Sequence, residues 1–314
     1  MRKLENAVSA CLVSLVLPLV ALFGIDQPAM ARLSPATSAA ATAPPVLLGS
    51  YDTPGRALGL ALSGEQAYVA DGEAGGLRVV DVTDPAAPSE TGAHETPHWA
   101  RNVAVRDQVA YVADMQSGLR IFDVSNPANP TEVGAYDTRW DANDVALLGE
   151  YAFVADGGAS LRIIDVSDPA APDEVSWAYV PGYSAAVTVV SDYAYVAYYE
   201  SSWPLDKSGL AIVDVSDPLN PVEEGLYAIP GELFEGCVDV TVVGDTAYVA
   251  HTLNGLHVLD VSDPSSPVEV GDLATPGTAT GVTVNGDVAF VAAGDAGLRI
   301  VDVSRPANPI EVSF

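Results

Sequence analysis

An all-β fold built from one small sheet repeated six times is predicted by three observations. A five-residue phrase ending in aspartate recurs as LRVVD at Asp81, LRIFD at Asp123, LRIID at Asp165, LAIVD at Asp214, LHVLD at Asp260 and LRIVD at Asp302. Its spacings are 42, 42, 49, 46 and 42 residues, a period that marks a solenoid, propeller or array. Val, Ile, Tyr and Phe fill the short apolar stretches and Gly, Pro, Asn and Asp the joints, with no sustained 3.6-residue apolar period. The two central stretches of each unit are nearly continuous apolar runs, which suits strands buried on both faces. A four-stranded meander cannot hide two apolar faces alone. Set radially between neighbours it can, so the expected architecture is a closed six-bladed β-propeller of four-stranded antiparallel blades.

Each unit reads in the same order. In the second, Asn102 to Val105 forms strand a, and Ala110 to Asp114 (AYVAD) forms strand b after a polar turn. A Gly-containing loop leads to strand c at Leu119 to Ser125, an NPANP turn follows, and Thr131 to Thr138 forms strand d. In DVSDPAAP, Asp165 to Pro172, two prolines stop strand c because proline has no N–H to give a ladder. The Asp and Ser before them can bond the turn backbone through their side chains. Asp81, Asp123, Asp165, Asp214, Asp260 and Asp302 therefore read as turn builders, since a catalytic acid is not needed six times.

These pentapeptides, followed by DVSDP and joined to AYVAD, resemble the LVIVD-repeat proteins, a bacterial and archaeal group that is secreted or displayed at the cell surface. The resemblance covers Pro45 to the C-terminus and implies a propeller; the family carries no catalytic motif to transfer. The fourth unit departs most, with LAIVD lacking the basic second residue and Tyr198 standing where the aspartate follows YVA. There are six copies of strands a to c but seven d-like segments, because both PVLLGSYDTPG (Pro45 to Gly55) and the terminal PIEVSF match strand d. Val46 to Tyr51 are expected to pair on the blade containing Asp302, or to compete with the terminal strand for that place, since an unclosed ring would leave an unpaired edge.

Residues 1–31 read as a secretory signal peptide: Arg2 and Lys3 precede an apolar run from Ala7 to Ile25, and Ala29-Met30-Ala31 fits a small-x-small cleavage site. Left uncleaved, the run would be a membrane anchor, the one membrane contact expected. Residues 32–45, rich in Ala, Ser, Thr and Pro, read as a disordered linker, and 46–314 as the propeller. The expected location is secreted, periplasmic or cell surface. Cleavage after Ala31 leaves the net charge at −29 and leaves Cys237 as the lone cysteine, which excludes an internal disulfide. A surface of this sign repels phosphate backbones, so nucleic acid is excluded as a partner.

In an antiparallel blade the d-to-a and b-to-c loops share one rim around the channel, and there the repetition fails. The d-to-a loops read TPGRALG, TPHWARN, TRWDAND, VPGYSAA, IPGELFEGCVD and TPGTATG. Candidate ligand-binding residues on this rim are His98, Trp99, Arg101, Asn102, Trp140, Asp141, Asp144, Tyr198, Tyr199, Trp203, Phe234, Asp239 and His251. Asn102, Asp144 and Asp239 start strand a in their blades, facing the channel mouth, and are candidate oxygen ligands for a hard cation such as Ca²⁺. Asp71, Asp114 and Asp156 are expected to cap the b-to-c turn, with His251 in the same place in the fifth unit. Two insertions, Tyr198 to Ser208 and Gly231 to Cys237, lengthen the rim and add aromatic edge. The function this pattern supports is a secreted or cell-surface binding or scaffold protein for a protein or polysaccharide ligand. The alternative is a cation-dependent hydrolase or lyase using Asp144, Asp239 and Asn102 with His98 or His251 as base. No nucleophile elbow, phosphate loop or close metal motif accompanies it.

Overall fold

The computed structural model describes residues 46–158, 160–200, 207–229 and 236–313. The signal segment and linker, Trp203 and Phe234 lie outside them. Six four-stranded antiparallel sheets follow one another along the chain, each in the order a-b-c-d. Blade 1 comprises Gly59–Ser63, Gln66–Ala70, Leu77–Asp81 and Ser89–His94; blade 2 comprises Asn102–Arg106, Val109–Ala113, Leu119–Asp123 and Thr131–Tyr136. Blade 3 comprises Asp144–Leu148, Tyr151–Ala155, Leu161–Asp165 and Asp173–Ala178, and blade 4 Tyr183–Val190, Tyr193–Glu200, Lys207–Asp214 and Val222–Ile229. Blade 5 comprises Cys237–Val243, Thr246–His251, Gly255–Asp260 and Val268–Leu273, and blade 6 Gly281–Asn285, Val288–Ala292, Leu298–Asp302 and Ile310–Ser313. The predicted six-bladed, all-β architecture is present. Single helical turns at Gly72–Gly75 and Gly294–Ala296 are the helical segments among the described residues.

The repeated phrases do the same work in every blade. Asp81, Asp123, Asp165, Asp214, Asp260 and Asp302 each accept, through Oδ1, the backbone N–H two residues on, at 2.8–2.9 Å. This is the Asx turn that ends strand c. The hydroxyl of the Thr or Ser two residues on, together with its backbone N–H, holds all six carboxyls below the usual carboxylate range. Every c–d pair also carries a register shift, as between Val79 and Val80, which places one unpaired residue in strand d and sharpens its twist.

The core lies between blades rather than within them. At the seam of blades 2 and 3, Tyr111, Ala113, Leu119 and Ile121 pack against Val145, Ala152, Val154 and Ile164. Equivalent shared clusters join blades 1 and 2, 3 and 4, 4 and 5, and 5 and 6. Strand a of each of the first five blades also packs on strand a of the next. Close approach of strand d to the following c–d turn requires glycine: a Cβ on Gly134 would lie 2.0 Å from the Pro169 carbonyl oxygen, and one on Gly225 would lie 2.0 Å from that of Pro264.

Closure differs from expectation. Val46 to Tyr51 do not pair with the blade containing Asp302, because Ile310–Ser313 takes the outer place there, opposite Asp302, Val301 and Ile300. The terminal strand continues directly from the c–d turn of its own blade, so it reaches strand c by the shortest connection.

Candidate functional site

The b-to-c loops and the d-to-a loops do share one rim, and they are stitched together there. Gly72 in the b-to-c loop of blade 1 bridges to Ala100, and Met115 of blade 2 bridges to Ala142. In blade 3 the stitch grows into a two-residue strand, Gly157–Gly158, paired with Tyr183 and Ser184. Asp71, Asp114 and Asp156 add a side-chain latch. Each accepts the backbone N–H of the d-to-a loop leading into its blade, from Gly55, His98 and Trp140, at 2.9, 2.9 and 3.2 Å. These aspartates thus hold the loop from the preceding d strand rather than only capping their own turn. Each is fully buried. Arg78 and Arg162, from the second position of the pentapeptide, ion-pair with Asp71 and Asp156 while also reaching Glu90 and Glu174 of strand d. Burial raises the carboxyls of Asp114 and Asp156 despite the bonds they accept.

At the channel mouth, Asn102, Asp144 and Asp239 occupy equivalent places, each paired with the last alanine of strand b. Their side chains run tangentially, around the ring. Asp144 accepts the N–H of Val145 at 2.7 Å and that of Val187 in the next blade at 2.8 Å. Asp239 does the same with Val240 at 2.8 Å and Val282 at 2.7 Å. The next blade has a small residue at this position in both cases, Ala186 or Gly281, which leaves room to reach the amide beyond. Asn102 meets Asp144 instead and donates to it. Burial raises both carboxyls, that of Asp239 to about 7, and Asp144 adds to the shift at Asp239. The three residues are inter-blade braces, with their oxygens already engaged by backbone or by each other. Among the described residues no three His, Cys, Asp or Glu side chains converge as a metal site.

A polar and aromatic cluster forms where the loops of blades 2, 3 and 4 meet. Tyr183 Oη donates to Asp141 Oδ2 at 3.1 Å and lies 3.3 Å from Asn143 Oδ1. Asn143 Nδ2 donates to the carbonyls of Asp141 and Ser184, both at 3.0 Å. The Tyr183 and Tyr199 rings tilt against each other with centroids 5.1 Å apart. Trp140 and Tyr183 flank the Gly157–Gly158 backbone, where a Cβ on either glycine would strike a ring. Trp140 is 57% exposed, and Trp99 is exposed on the neighbouring loop. Arg101 is close enough to draw both Asp144 and Tyr199 toward their ionised forms. Burial nonetheless raises both tyrosines, Tyr183 to about 12, so they present neutral hydroxyls at physiological pH. Sequence reasoning found Arg101, Trp140, Asp141 and Tyr199 here but missed Asn143 and Tyr183. The signal for Tyr183 was its alignment with Trp99 and Asp141 in the six d-to-a loops.

Two other predicted rim residues are interior. Tyr198 is buried in the cluster between blades 3 and 4, because strands b and c of blade 4 are eight residues long and carry it into the sheet. His251 is fully buried. Its Nε2 lies 3.1 Å from Ser208 Oγ, and its Nδ1 accepts the Asn254 N–H at 3.2 Å. With Nδ1 an acceptor, the ring proton sits on Nε2 and points at the serine, so this histidine cannot take the serine's proton. His257 stands where blades 1, 2, 3 and 6 have arginine and bonds Glu269 at 2.9 Å, its ring edge-on to His251. The Asp–Arg pairing of blades 1 and 3 is thus a His–His contact in blade 5. Cys237 is buried beside Ser208, and desolvation pushes its thiol up to about 12, as suits a core residue. His98 sits half-buried on the rim, its N–H committed to Asp114.

The LVIVD repeat model matches residues 54–96, 99–138, 141–177, 181–229, 237–275 and 276–314, one match per blade. The chain belongs to the LVIVD-repeat family. No curated protein matches it. Among solved structures, this LVIVD-repeat propeller is similar to a protein from Lactobacillus plantarum, at 17% identity over 82% of each chain with a TM-score of 0.68. It is also similar to the periplasmic gluconolactonase of Pseudomonas aeruginosa, at 12% identity, covering 81% of this chain and 83% of that one, with a TM-score of 0.66. Hydrazine synthase of Kuenenia stuttgartiensis matches at 14% identity, over 81% and 78%, with a TM-score of 0.64. At these identities the likeness is one of fold.

Proposed function

We propose that this LVIVD-repeat propeller is a secreted or cell-surface binding protein that engages a glycan or protein ligand across the rim of blades 2 to 4, without chemistry of its own. The observation that carries this reading is the cluster of Asp141, Asn143, Tyr183 and Tyr199 beside the exposed ring of Trp140. The neutral tyrosine hydroxyls and the Asp141 carboxylate offer directional bonds, the buried Asn143 amide holds them in place, and the flanking indole offers a rigid apolar face at low entropic cost. The Gly157–Gly158 strand fixes both rings against its backbone, so the site is formed before a ligand arrives. An array of neutral and acidic glycans together with a thermal-shift series tests this. A ligand at a hundred times its Kd is expected to stabilise the fold by about 2.7 kcal/mol. Trp140→Ala and Tyr183→Phe should weaken that ligand at least tenfold; unchanged binding in both would move the site off this rim.

A further inference from the structure

Five of the six seams are built alike, and the sixth is not. On the leading face of each blade, two residues of strand b and two of strand c point at the next blade: Tyr111, Ala113, Leu119 and Ile121 in blade 2, and Phe153, Ala155, Leu161 and Ile163 in blade 3. These positions are buried throughout blades 1 to 5. In blade 6 the same positions, Phe290, Ala292, Leu298 and Ile300, are all part-exposed. On the other side of that seam, Leu60 of blade 1 is part-exposed where Val103, Val145, Val187, Val240 and Val282 are buried. Ala67, Val69, Val80 and Val82 form a cluster with members from blade 1 and its entry loop only, so among the described residues no apolar core spans blades 6 and 1.

Residues 46–58 occupy one side of this seam in a specific way. A Cβ on Gly49 would meet the Pro85 carbonyl and Ala86, as one on Gly92 would meet Pro127 and Ala128. Tyr51 Oη donates to Glu90 at 3.1 Å, as Tyr136 donates to Glu174 and Tyr227 to Glu269. Thr53 and the Gly55 N–H hold Asp71 in the manner of the other d-to-a loops. Val46 to Tyr51 therefore stand where the d strand of a blade preceding blade 1 would stand. Yet that segment carries no ladder pairing, Val46 and Leu48 are 76% and 63% exposed, and blade 6 already has its own fourth strand.

We propose that the seam between blades 6 and 1 is a docking site for a β-meander from another protein, whose strands would pair inside Val46 to Tyr51 and complete a seventh blade. What is missing is a set of a, b and c strands, apolar on both faces, and each of the six sets in residues 54–314 already forms a blade of its own. The residues before Val46 contain neither AYVAD nor a pentapeptide of the LRIVD type. A second copy would have to give up one of its own blades. Main-chain pairing to an exposed strand supplies affinity, and the flanking apolar faces supply selection for alternating side chains.

The probe is a synthetic peptide of residues 144–166, the a-b-c strands of blade 3, added to the whole protein. Saturable one-to-one binding is expected, with amide exchange at Leu47 to Tyr51 slowed at least tenfold. Leu47→Pro, at an exposed position whose counterparts Glu90 and Glu132 pair with strand c, should abolish binding without lowering the melting temperature, and Ile300→Glu should weaken it at least tenfold. Absence of binding, or binding that survives Leu47→Pro, would overturn the proposal. So would spontaneous disulfide formation, without peptide, between Ser50→Cys and Arg299→Cys, which face each other only if the N-terminal segment displaces Ile310–Ser313 and closes a six-bladed ring. Dimerisation that protects Leu47 to Tyr51 equally well would give the seam to a second copy and overturn it too.

Discussion

Asp239 offers a direct test of the bracing role assigned to the channel-mouth carboxylates. Its carboxyl rises from 3.8 to about 7, chiefly through burial and then through Asp144. The folded state therefore holds a proton that the unfolded chain releases near pH 4. Stability rises with pH only where the unfolded state binds more protons, and here the folded state does, so this group's contribution is complete below about pH 4 and is lost as pH climbs to 7. Three units at about 1.4 kcal/mol each set a ceiling of about 4 kcal/mol, to be discounted because Asp239 is only partly shielded. Asp239→Asn removes the titration. It also costs one acceptor, because the side-chain amide would turn a donor toward the Val240 or Val282 N–H, a loss of about 1–3 kcal/mol. Denaturant unfolding at pH 5, 6, 7 and 8 in high salt should show the variant less stable at pH 5 and the gap closing or reversing by pH 8. High salt matters because a net charge of −29 produces its own pH-dependent repulsion. Parallel curves for the two proteins would refute the raised carboxyl and the reasoning behind it.

Three further outcomes are expected. Asp156→Ala, by leaving the buried Arg162 with Glu174 alone and the Trp140 N–H without its acceptor, should cost about 1–3 kcal/mol in denaturant unfolding, whereas Asp165→Ala, at an exposed Asx turn, should cost far less. Gly134→Ala would set a methyl 2.0 Å from the Pro169 carbonyl oxygen and should destabilise by about 1–3 kcal/mol, read as a lowered melting temperature. Cys237 should resist thiol reagents in the folded protein at pH 8 and react at the rate of unfolding, since its thiol is buried and pushed up to about 12.

The blades were legible in the sequence because their cause is local and repeated. Continuous apolar runs such as Tyr111 to Ala113 require burial on both faces, and the prolines of NPANP and DVSDPAAP fall in the turns between strands c and d. The rim was legible as a location, through the loops where repetition fails. What each rim residue does there was less so, because it depends on the neighbouring blade. Asp144 and Asp239 look like free carboxylates in sequence, and nothing in their own blade shows that Val187 and Val282, 43 residues on, present amides to them. Tyr198 looked like rim because the aspartates aligned with it do latch rim loops, yet blade 4 lengthens its strands and draws the ring inward. The same dependence explains the closure. Counting seven d-like segments against six a-b-c sets identified the surplus strand, and which end loses the place on blade 6 turns on connection length, a property of the chain path rather than of either segment's residues. Ile310–Ser313 follows its own c strand through one short turn, while Val46 to Tyr51 are tied to blade 1 through Gly49, Tyr51 and Gly55. Those three contacts are inherited from the repeat itself: a d strand is read by the blade that follows it, whether or not the blade it belongs to is present.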